Sequence, residues 1–260
     1  MRIAIGASYD GSRFDGWQSQ PSGNTVQDTL ERAMSQIAGG PMRLTGAGRT
    51  DAGVHAVAQV AHFDTDAARP ETAWVRGANS LLPGAIAVQW ATAVPPEFHA
   101  RYSAIARSYR YVLHNHPVRP ALFAHKVAWF HLPLDTEAMA GAARLLLGEN
   151  DFSAFRSAAC QARSPVRMLS HAGVSRSGPY CMFDFTANAF LHHMVRNLVG
   201  CLVYVGKGKY PPQWIGEVME SRDRKLAAPT MPPDGLYLTN VQYDVHWKLP
   251  QFAPMMPFAR

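Results

Sequence analysis

The chain has 260 residues, of which 47% are hydrophobic, enough for one large core or two modest cores. Its 25 Lys and Arg residues against 19 Asp and Glu residues give a formal charge of +6, which favours a polyanionic partner over an acidic protein or a small cation. Three widely spaced cysteines form no C-x-x-C pair, so the sequence indicates neither a disulfide framework nor a thiolate zinc site. With no secretory signal and no apolar run near the roughly 20 residues that cross a bilayer, we expect a cytoplasmic protein without a membrane partner.

The first half of the chain predicts the element order β-α-β-β-α-β. Alternating apolar residues from Ile3 to Tyr9 predict a strand. Apolar residues at helical spacing from Val26 to Ile37 predict an amphipathic helix, with Asn24 and Gln27 at capping-box spacing and Gly39 at the end. Further elements are predicted near 42–45, 57–63, 71–82 and 86–90.

After Arg101 the same order begins again, with one extra helix. Strands are predicted near 109–113, 168–176, 180–186 and 236–245, and helices from Asp135 to Gly148, from Leu191 to Val205 and from Pro212 to Ser221. Two copies of one order predict an α+β fold of two ferredoxin-like halves, 1–105 and 106–246, with a Pro-rich tail over 247–260. The two sheets either join edge to edge or face each other across a cleft.

One loop carries an acid and a base among glycines. Gly46, Gly48 and Gly53 let the backbone turn sharply or approach another chain closely around Arg49 and Asp51. Taken alone, the pattern fits a surface turn with a local Arg-Asp pair, or a loop that presents a working side chain.

The other candidate residues are each ambiguous alone. His192 and His193 are predicted on the long helix, where adjacent side chains point about 100° apart and do not share a metal as an i, i+4 pair would. Tyr109 is either a core tyrosine or a platform on which a base stacks. Arg196 is either solvated or aimed at a sheet or cleft. Because the sequence has no phosphate-binding loop, nucleophile elbow or dinucleotide fingerprint, any chemistry must come from one carboxylate and its neighbours.

The segment Gly48-Arg49-Thr50-Asp51-Ala52-Gly53-Val54-His55-Ala56 resembles the signature loop of the tRNA pseudouridine synthases of the A type. Further blocks follow in the family's order: Phe98-His99-Ala100-Arg101, Ser108-Tyr109-Arg110-Tyr111, Asp151-Phe152-Ser153 with Phe155-Arg156, Phe190-Leu191-His192-His193-Met194-Val195-Arg196-Asn197, and Gly235-Leu236-Tyr237-Leu238. One departure is Asn150, where the family often has histidine; it puts at most a local contact in doubt.

The resemblance implies an isomerase that converts uridine to pseudouridine in the anticodon stem-loop of tRNA, classically at nucleotides 38 to 40, without cofactor or metal. It also implies a homodimer whose ferredoxin-like halves form one mainly antiparallel sheet flanked by helices. Asp51 would be the catalytic carboxylate, Arg196 its ion-pair partner, and Tyr109 the ring that stacks on the uracil and serves as a base. The residues expected to bind the substrate are Arg49, His55, Arg101, Tyr109, Arg110, Arg156 and His193.

Two functions of other classes stay open at this point. A non-catalytic RNA-binding protein on the same duplicated fold would bind tRNA and leave its bases unchanged. A metal-dependent phosphoesterase would use Asp51 with His55, His192 and His193, but the spacing of the histidines disfavours it.

Overall fold

The computed structural model describes residues 1–250, so the rest of the predicted tail lies outside the described residues. In chain order the strands are β1 (Arg2–Tyr9), β2 (Thr45–Gly46), β3 (His55–Asp64), β4 (Ile86–Val94), β5 (Ala104–Asn115), β6 (Ala128–Phe130), β7 (Gly148–Asp151), β8 (Val166–Ser177), β9 (Tyr180–Ala187) and β10 (Leu236–Tyr243). The helices are α1 (Val26–Ala38), α2 (Ala78–Leu81), α3 (Thr136–Arg144), α4 (Met194–Gly206) and α5 (Trp214–Ser221). The predicted α+β class is confirmed.

The chain divides into two compact units. The first contains Met1–Ala106 and the described residues from Tyr237 onward, and the second contains Arg107–Leu236. All of strand β10 except its first residue, Leu236, therefore lies with the first unit, although the order of elements assigned the strand to the second half. Order along the chain does not fix which strand a distant segment pairs with, because pairing depends on contacts between residues far apart in sequence.

The first unit has a mainly antiparallel sheet in which β1 lies between β3 and β4. Ile5 of β1 is opposite Ala61 of β3 on one side and Ala91 of β4 on the other. The short β2 pairs antiparallel with β3, and β10 pairs parallel with β3, where Leu238 is opposite Ala56. Strand β3 therefore has its hydrogen-bond partners on both edges, which fixes the position where the signature loop ends.

Helix α1 covers the first unit's core. Its buried residues include Val26, Leu30, Ala33 and Met34, the stripe that the spacing predicts. The predicted cap is wrong by one residue: Thr25 is the N-cap, and its Oγ1 accepts from the Asp28 N–H at 3.1 Å. Threonine and asparagine are both preferred N-cap residues, so the sequence alone does not separate two adjacent candidates. Gly39 ends the helix in the left-handed region, with φ 77°, as predicted.

Within the second unit, neighbouring strands pair antiparallel in the order β5-β9-β8-β7. Phe183 of β9 is opposite Tyr111 of β5 and Val174 of β8, and β6 pairs parallel with β5. Asp135 caps α3 as predicted, since its carboxylate accepts from the Ala138 N–H at 3.0 Å. Strands β6 and β7 were not predicted, because each has only three or four residues and shows no readable period.

No helix within residues 1–250 is both long and apolar enough to cross a membrane.

Candidate active site

The signature loop follows β2 and presents Asp51 at a turn immediately before β3. The Asp51 side chain is half-buried, whereas Arg49 and Ala52 are exposed. The Val54 N–H donates to the Asp51 carbonyl at 3.1 Å, and Gly53 adopts φ 80°, which is why glycine is required there. Asp51 is therefore displayed on an ordered turn, as the glycine pattern predicts.

A second turn, the segment 11–17 after β1, packs directly against this loop. The Trp17 N–H donates to the Thr50 carbonyl at 3.0 Å, and the Gly53 N–H donates to the Phe14 carbonyl at 3.4 Å. At Gly16, which has φ 94°, an added Cβ would lie 2.7 Å from the Thr50 carbonyl oxygen. Gly16 therefore allows two backbones to approach each other next to the residue that precedes Asp51.

Buried polar side chains from the sheet also contact the loop. The hydroxyls of Tyr9 and Thr50 are 2.8 Å apart, and Gln59 Nε2 donates to the Gly48 carbonyl at 2.7 Å. The sequence reasoning missed all three of these side chains. The available signal was Gln59, a polar residue inside an apolar strand run from Val57 to Phe63.

His55, predicted to bind the substrate, is 2% exposed and lies in the packing at the start of β3. Its Nδ1 accepts from the Gly11 N–H at 3.1 Å, and its ring stacks on Tyr237 with centroids 4.7 Å apart. This position favours a supporting role for His55 over the predicted RNA contact.

Arg101, by contrast, is exposed on the segment that joins β4 to β5. Its guanidinium lies 5.6 Å from the centroid of the Tyr102 ring, within cation–π range. The imidazole of His99 accepts the Arg101 N–H at 3.2 Å and so fixes the backbone at this point. The exposed guanidiniums of Arg101 and Arg49 belong to the same unit as Asp51, and both have the chemistry to bind RNA phosphate.

In the second unit, Tyr109 and Arg196 occupy defined positions. Tyr109 lies on β5, is 8% exposed, and packs edge-to-face with Phe190 at a centroid distance of 5.0 Å. Arg196 lies in the first turn of α4, where its Nε donates to the Met231 carbonyl at 2.7 Å and so orients the guanidinium plane. Tyr109 is thus a largely buried ring. Arg196 is half-buried and hydrogen-bonded, and so is not the fully solvated side chain that its sequence context alone allows.

His192 and His193 were predicted on the long helix, but the structure places both residues before it. His193 is the N-cap of α4 with φ 63°, a left-handed conformation that a helix interior does not contain. The two rings lie 4.0 Å apart, and the His192 carbonyl accepts from the Ser157 N–H at 2.9 Å. Apolar periodicity predicted that the helix begins at Leu191. The left-handed backbone at His193 instead makes the helix begin at Met194. The His193 side chain is half-buried, and its predicted RNA contact stays a prediction.

Arg110 and Arg156 differ in how they are held. Arg110 makes a two-point contact with Asp184 of the neighbouring β9, at 2.7 and 3.0 Å. This pairing across strands disfavours its predicted role in binding RNA, because the forked donors are already directed at a carboxylate. Arg156 is half-buried and follows the short turn Ser153–Phe155, and its substrate contact also stays a prediction.

Comparison with known proteins gives a single family. The sequence profile described as "tRNA pseudouridine synthase" matches residues 5–103 and 142–244. Proteins named tRNA pseudouridine synthase A are similar over nearly their full lengths. That of Aromatoleum aromaticum is 59% identical, covering 99% of this chain and 100% of its own, and that of Methylobacillus flagellatus is 59% identical, covering 96% of each. That of Thiobacillus denitrificans is 56% identical and covers 100% of each chain.

Among solved structures, a Cbf5-Nop10-Gar1 complex aligns with 91% of this chain and 48% of its own, at 12% identity and a TM-score of 0.35, too low to support any conclusion. The profile match, in contrast, covers Asp51 and Arg196, and the matches to the curated relatives span 96–100% of this chain. The chain belongs to the tRNA pseudouridine synthase family.

Proposed function

We propose that this protein isomerises uridine to pseudouridine at nucleotides 38 to 40 of the tRNA anticodon stem-loop, with Asp51 as the catalytic carboxylate. Family membership supports the isomerase activity and the tRNA substrate. The observation that carries the role of Asp51 is its half-buried side chain on a loop whose backbone is tied to the 11–17 turn and to buried side chains of the sheet. A carboxylate held in this way is positioned for chemistry at a sugar or a base.

The reaction is an isomerisation and needs no co-reactant. The bond from uracil N1 to ribose C1′ breaks, the uracil turns while it is bound, C5 bonds to C1′, and the proton on C5 is lost as N1 gains one. Ionised Asp51 acts as a nucleophile toward the sugar or the base, or assists elimination from the ribose. The target uridine leaves its stack to reach Asp51, at a cost of a few kcal/mol that basic contacts offset.

The remaining roles follow the same proposal. Arg196 pairs with Asp51 and holds the carboxylate in place, and its oriented guanidinium supports this role. Tyr109 stacks on the uracil and removes the last proton. Arg49 and Arg101 bind RNA phosphate, which their exposure supports.

The test is tritium release from tRNA that carries uridine labelled with tritium at C5, with a chelator present throughout. We expect the wild type to release tritium, and Asp51→Ala to release none while tRNA affinity stays within about three-fold, since uncharged alanine removes only the reacting group. Strong loss of binding by Asp51→Ala would assign Asp51 to recognition instead. In the same assay, a normal rate for Tyr109→Phe would restrict Tyr109 to stacking. Reverse transcription of the product after carbodiimide treatment, which marks pseudouridine, locates the modified nucleotides.

The proposal includes a cytoplasmic homodimer that binds one tRNA across both subunits. The +6 formal charge supports a polyanionic partner, and the family supports tRNA. Light scattering of the free protein and of its tRNA complex measures both masses; a monomer in both states would contradict the dimer.

A further inference from the structure

Three buried polar side chains connect the first unit's sheet to the residues just before Asp51. Tyr9 comes from β1, Gln59 from the middle of β3, and Thr50 from the loop, and they are 5%, 0% and 6% exposed. Gln59 Nε2 donates to the Gly48 carbonyl at 2.7 Å and lies 3.4 Å from the Tyr9 hydroxyl, which is 2.8 Å from Thr50 Oγ1. The contacts form a continuous chain of hydrogen bonds.

The orientation of the Gln59 amide follows from its partners. A backbone carbonyl only accepts, so the NH₂ end of Gln59 must face Gly48. The amide's oxygen, Oε1, is buried and has no hydrogen-bond partner within residues 1–250. A buried acceptor without a partner costs roughly 1–3 kcal/mol. The cost indicates that the residue contributes through its two N–H donors, because an apolar side chain would fill the same space without this penalty.

The Tyr9 hydroxyl links the other two side chains. Its oxygen accepts from Gln59 Nε2, and it shares a hydrogen bond with Thr50 Oγ1 in which either hydroxyl can be the donor. Burial raises the pKa of Tyr9 to about 12, so the phenol keeps its proton at neutral pH. Gln59 therefore holds the Gly48 carbonyl directly and the Thr50 side chain through Tyr9. Because the Thr50 carbonyl also accepts from Trp17, the residue before Asp51 is held through its side chain and its backbone.

We propose that Gln59 and Tyr9 are positioning residues for catalysis, which fix the Gly48–Thr50 segment and thereby the place of the Asp51 carboxylate. The inference rests on the proposed function of Asp51 and deepens it. Both side chains are buried, so we expect neither to contact the substrate. A misplacement of about 1 Å in a reacting group can cost on the order of 100-fold in rate, so loss of this support should lower turnover while tRNA binding is retained.

The test compares two glutamines of the same sheet. Gln59→Met and Tyr9→Phe each remove a contact from the chain of hydrogen bonds and retain most of the side-chain volume. Gln89→Met is the matched control: Gln89 Nε2 also donates to a hydroxyl, that of Ser8, at 2.7 Å, but this bond joins β4 to β1 away from the loop. Single-turnover pseudouridine formation, tRNA affinity and the thermal midpoint are measured for each variant.

We expect Gln59→Met and Tyr9→Phe to slow single turnover by about ten-fold or more with tRNA affinity within about three-fold, and Gln89→Met to keep both near wild type. Thr50→Ser should retain the rate, because it keeps the hydroxyl, while Thr50→Val should lose it. An active wild type whose Gln59 and Tyr9 variants turn over normally would overturn the inference. So would a loss of rate in Gln89→Met equal to that in Gln59→Met, since this would indicate general destabilisation.

Amide hydrogen exchange gives a readout that does not need activity. We expect faster exchange of the Val54 amide, which closes the turn at Asp51, in Tyr9→Phe and Gln59→Met than in the wild type and Gln89→Met. Unchanged exchange would overturn the positioning role even if the wild type proved inactive. An inactive wild type with faster exchange in the two variants would instead contradict the proposed function and leave the structural support established.

Discussion

At the scale of single residues, three arginines predicted to act at the site have guanidinium groups that are held by different partners. Arg110 is directed at Asp184, Arg101 lies over the Tyr102 ring, and Arg196 is oriented through its Nε by the Met231 carbonyl. A planar guanidinium can hold such a carbonyl with one N–H while its other donors point elsewhere in a fixed geometry. A lysine ammonium offers no such fork.

Replacement of Arg196 by lysine tests whether this geometry is needed. Arg196→Lys keeps the charge and loses the fork, so we expect single turnover to fall by about 100-fold with tRNA affinity within about three-fold. Arg32→Lys, on the exposed face of α1, is the matched control and should behave like the wild type. Quench-flow kinetics and filter binding measure the two quantities. A nearly normal rate for Arg196→Lys would contradict the proposed pairing with Asp51.

At the scale of elements, the 11–17 turn and the signature loop form one packed pair of turns. Gly16 and Gly39 both have positive φ, at 94° and 77°, but their surroundings differ. A Cβ on Gly16 would press on the Thr50 carbonyl oxygen, whereas a Cβ on Gly39 would meet no atom within 4 Å. Substitution of Gly39 would therefore introduce backbone strain alone, whereas substitution of Gly16 would introduce the same strain and also push the two turns apart.

We expect Gly39→Ala to lower the free energy of unfolding by about 1 kcal/mol, the cost of left-handed backbone for alanine, and to leave turnover unchanged. Gly16→Ala should cost about 2–3 kcal/mol and slow turnover as well, because the loop that carries Asp51 must shift. Urea unfolding and single-turnover rates check both. Equal effects of the two substitutions would show that the packing of the turns does not matter.

At the scale of the whole molecule, buried histidines make stability depend on pH. Burial lowers the pKa of His62 to about 4, and burial also lowers the pKa values of His99 and His114. The unfolded chain, with histidine near 6.5, therefore binds more protons than the folded chain between these values. The contribution of the neutral, buried histidines to the free energy of unfolding is complete above pH 6.5 and is lost as pH falls toward 4. The hydrogen bond from Arg2 lowers the pKa of Asp64, so that carboxylate loses its contribution only at more acidic pH.

For His62 alone, a shift from 6.5 to about 4 corresponds to a loss of about 2 kcal/mol between pH 7 and pH 5, at about 1.36 kcal/mol per pKa unit. Urea unfolding at several pH values measures this slope. His62→Gln retains an acceptor for the Ala100 N–H without titrating, so its slope should be smaller than that of the wild type. Parallel slopes in the two proteins would exclude His62 as the source.

The sequence by itself determined several local features of the structure and the family. The buried stripe of α1, the Asp135 cap of α3 and the alternation in β1 depend on residues two to four positions apart, so local spacing predicts them. The glycine-flanked acid was also readable, because backbone freedom and a single charge are properties of a short segment.

Only the tertiary structure decided which distant residues meet. It placed β10 beside β3, buried His55 against Tyr237, and directed Arg110 at Asp184. It also brought Tyr9 and Gln59 under the loop that carries Asp51, across 41 positions from Tyr9 to Thr50 and 11 from Gln59 to Gly48. Such contacts form only when strands that are distant in sequence pair with each other. Periodicity within a short segment predicts which face of a strand is buried, but it does not predict which distant residue lies opposite.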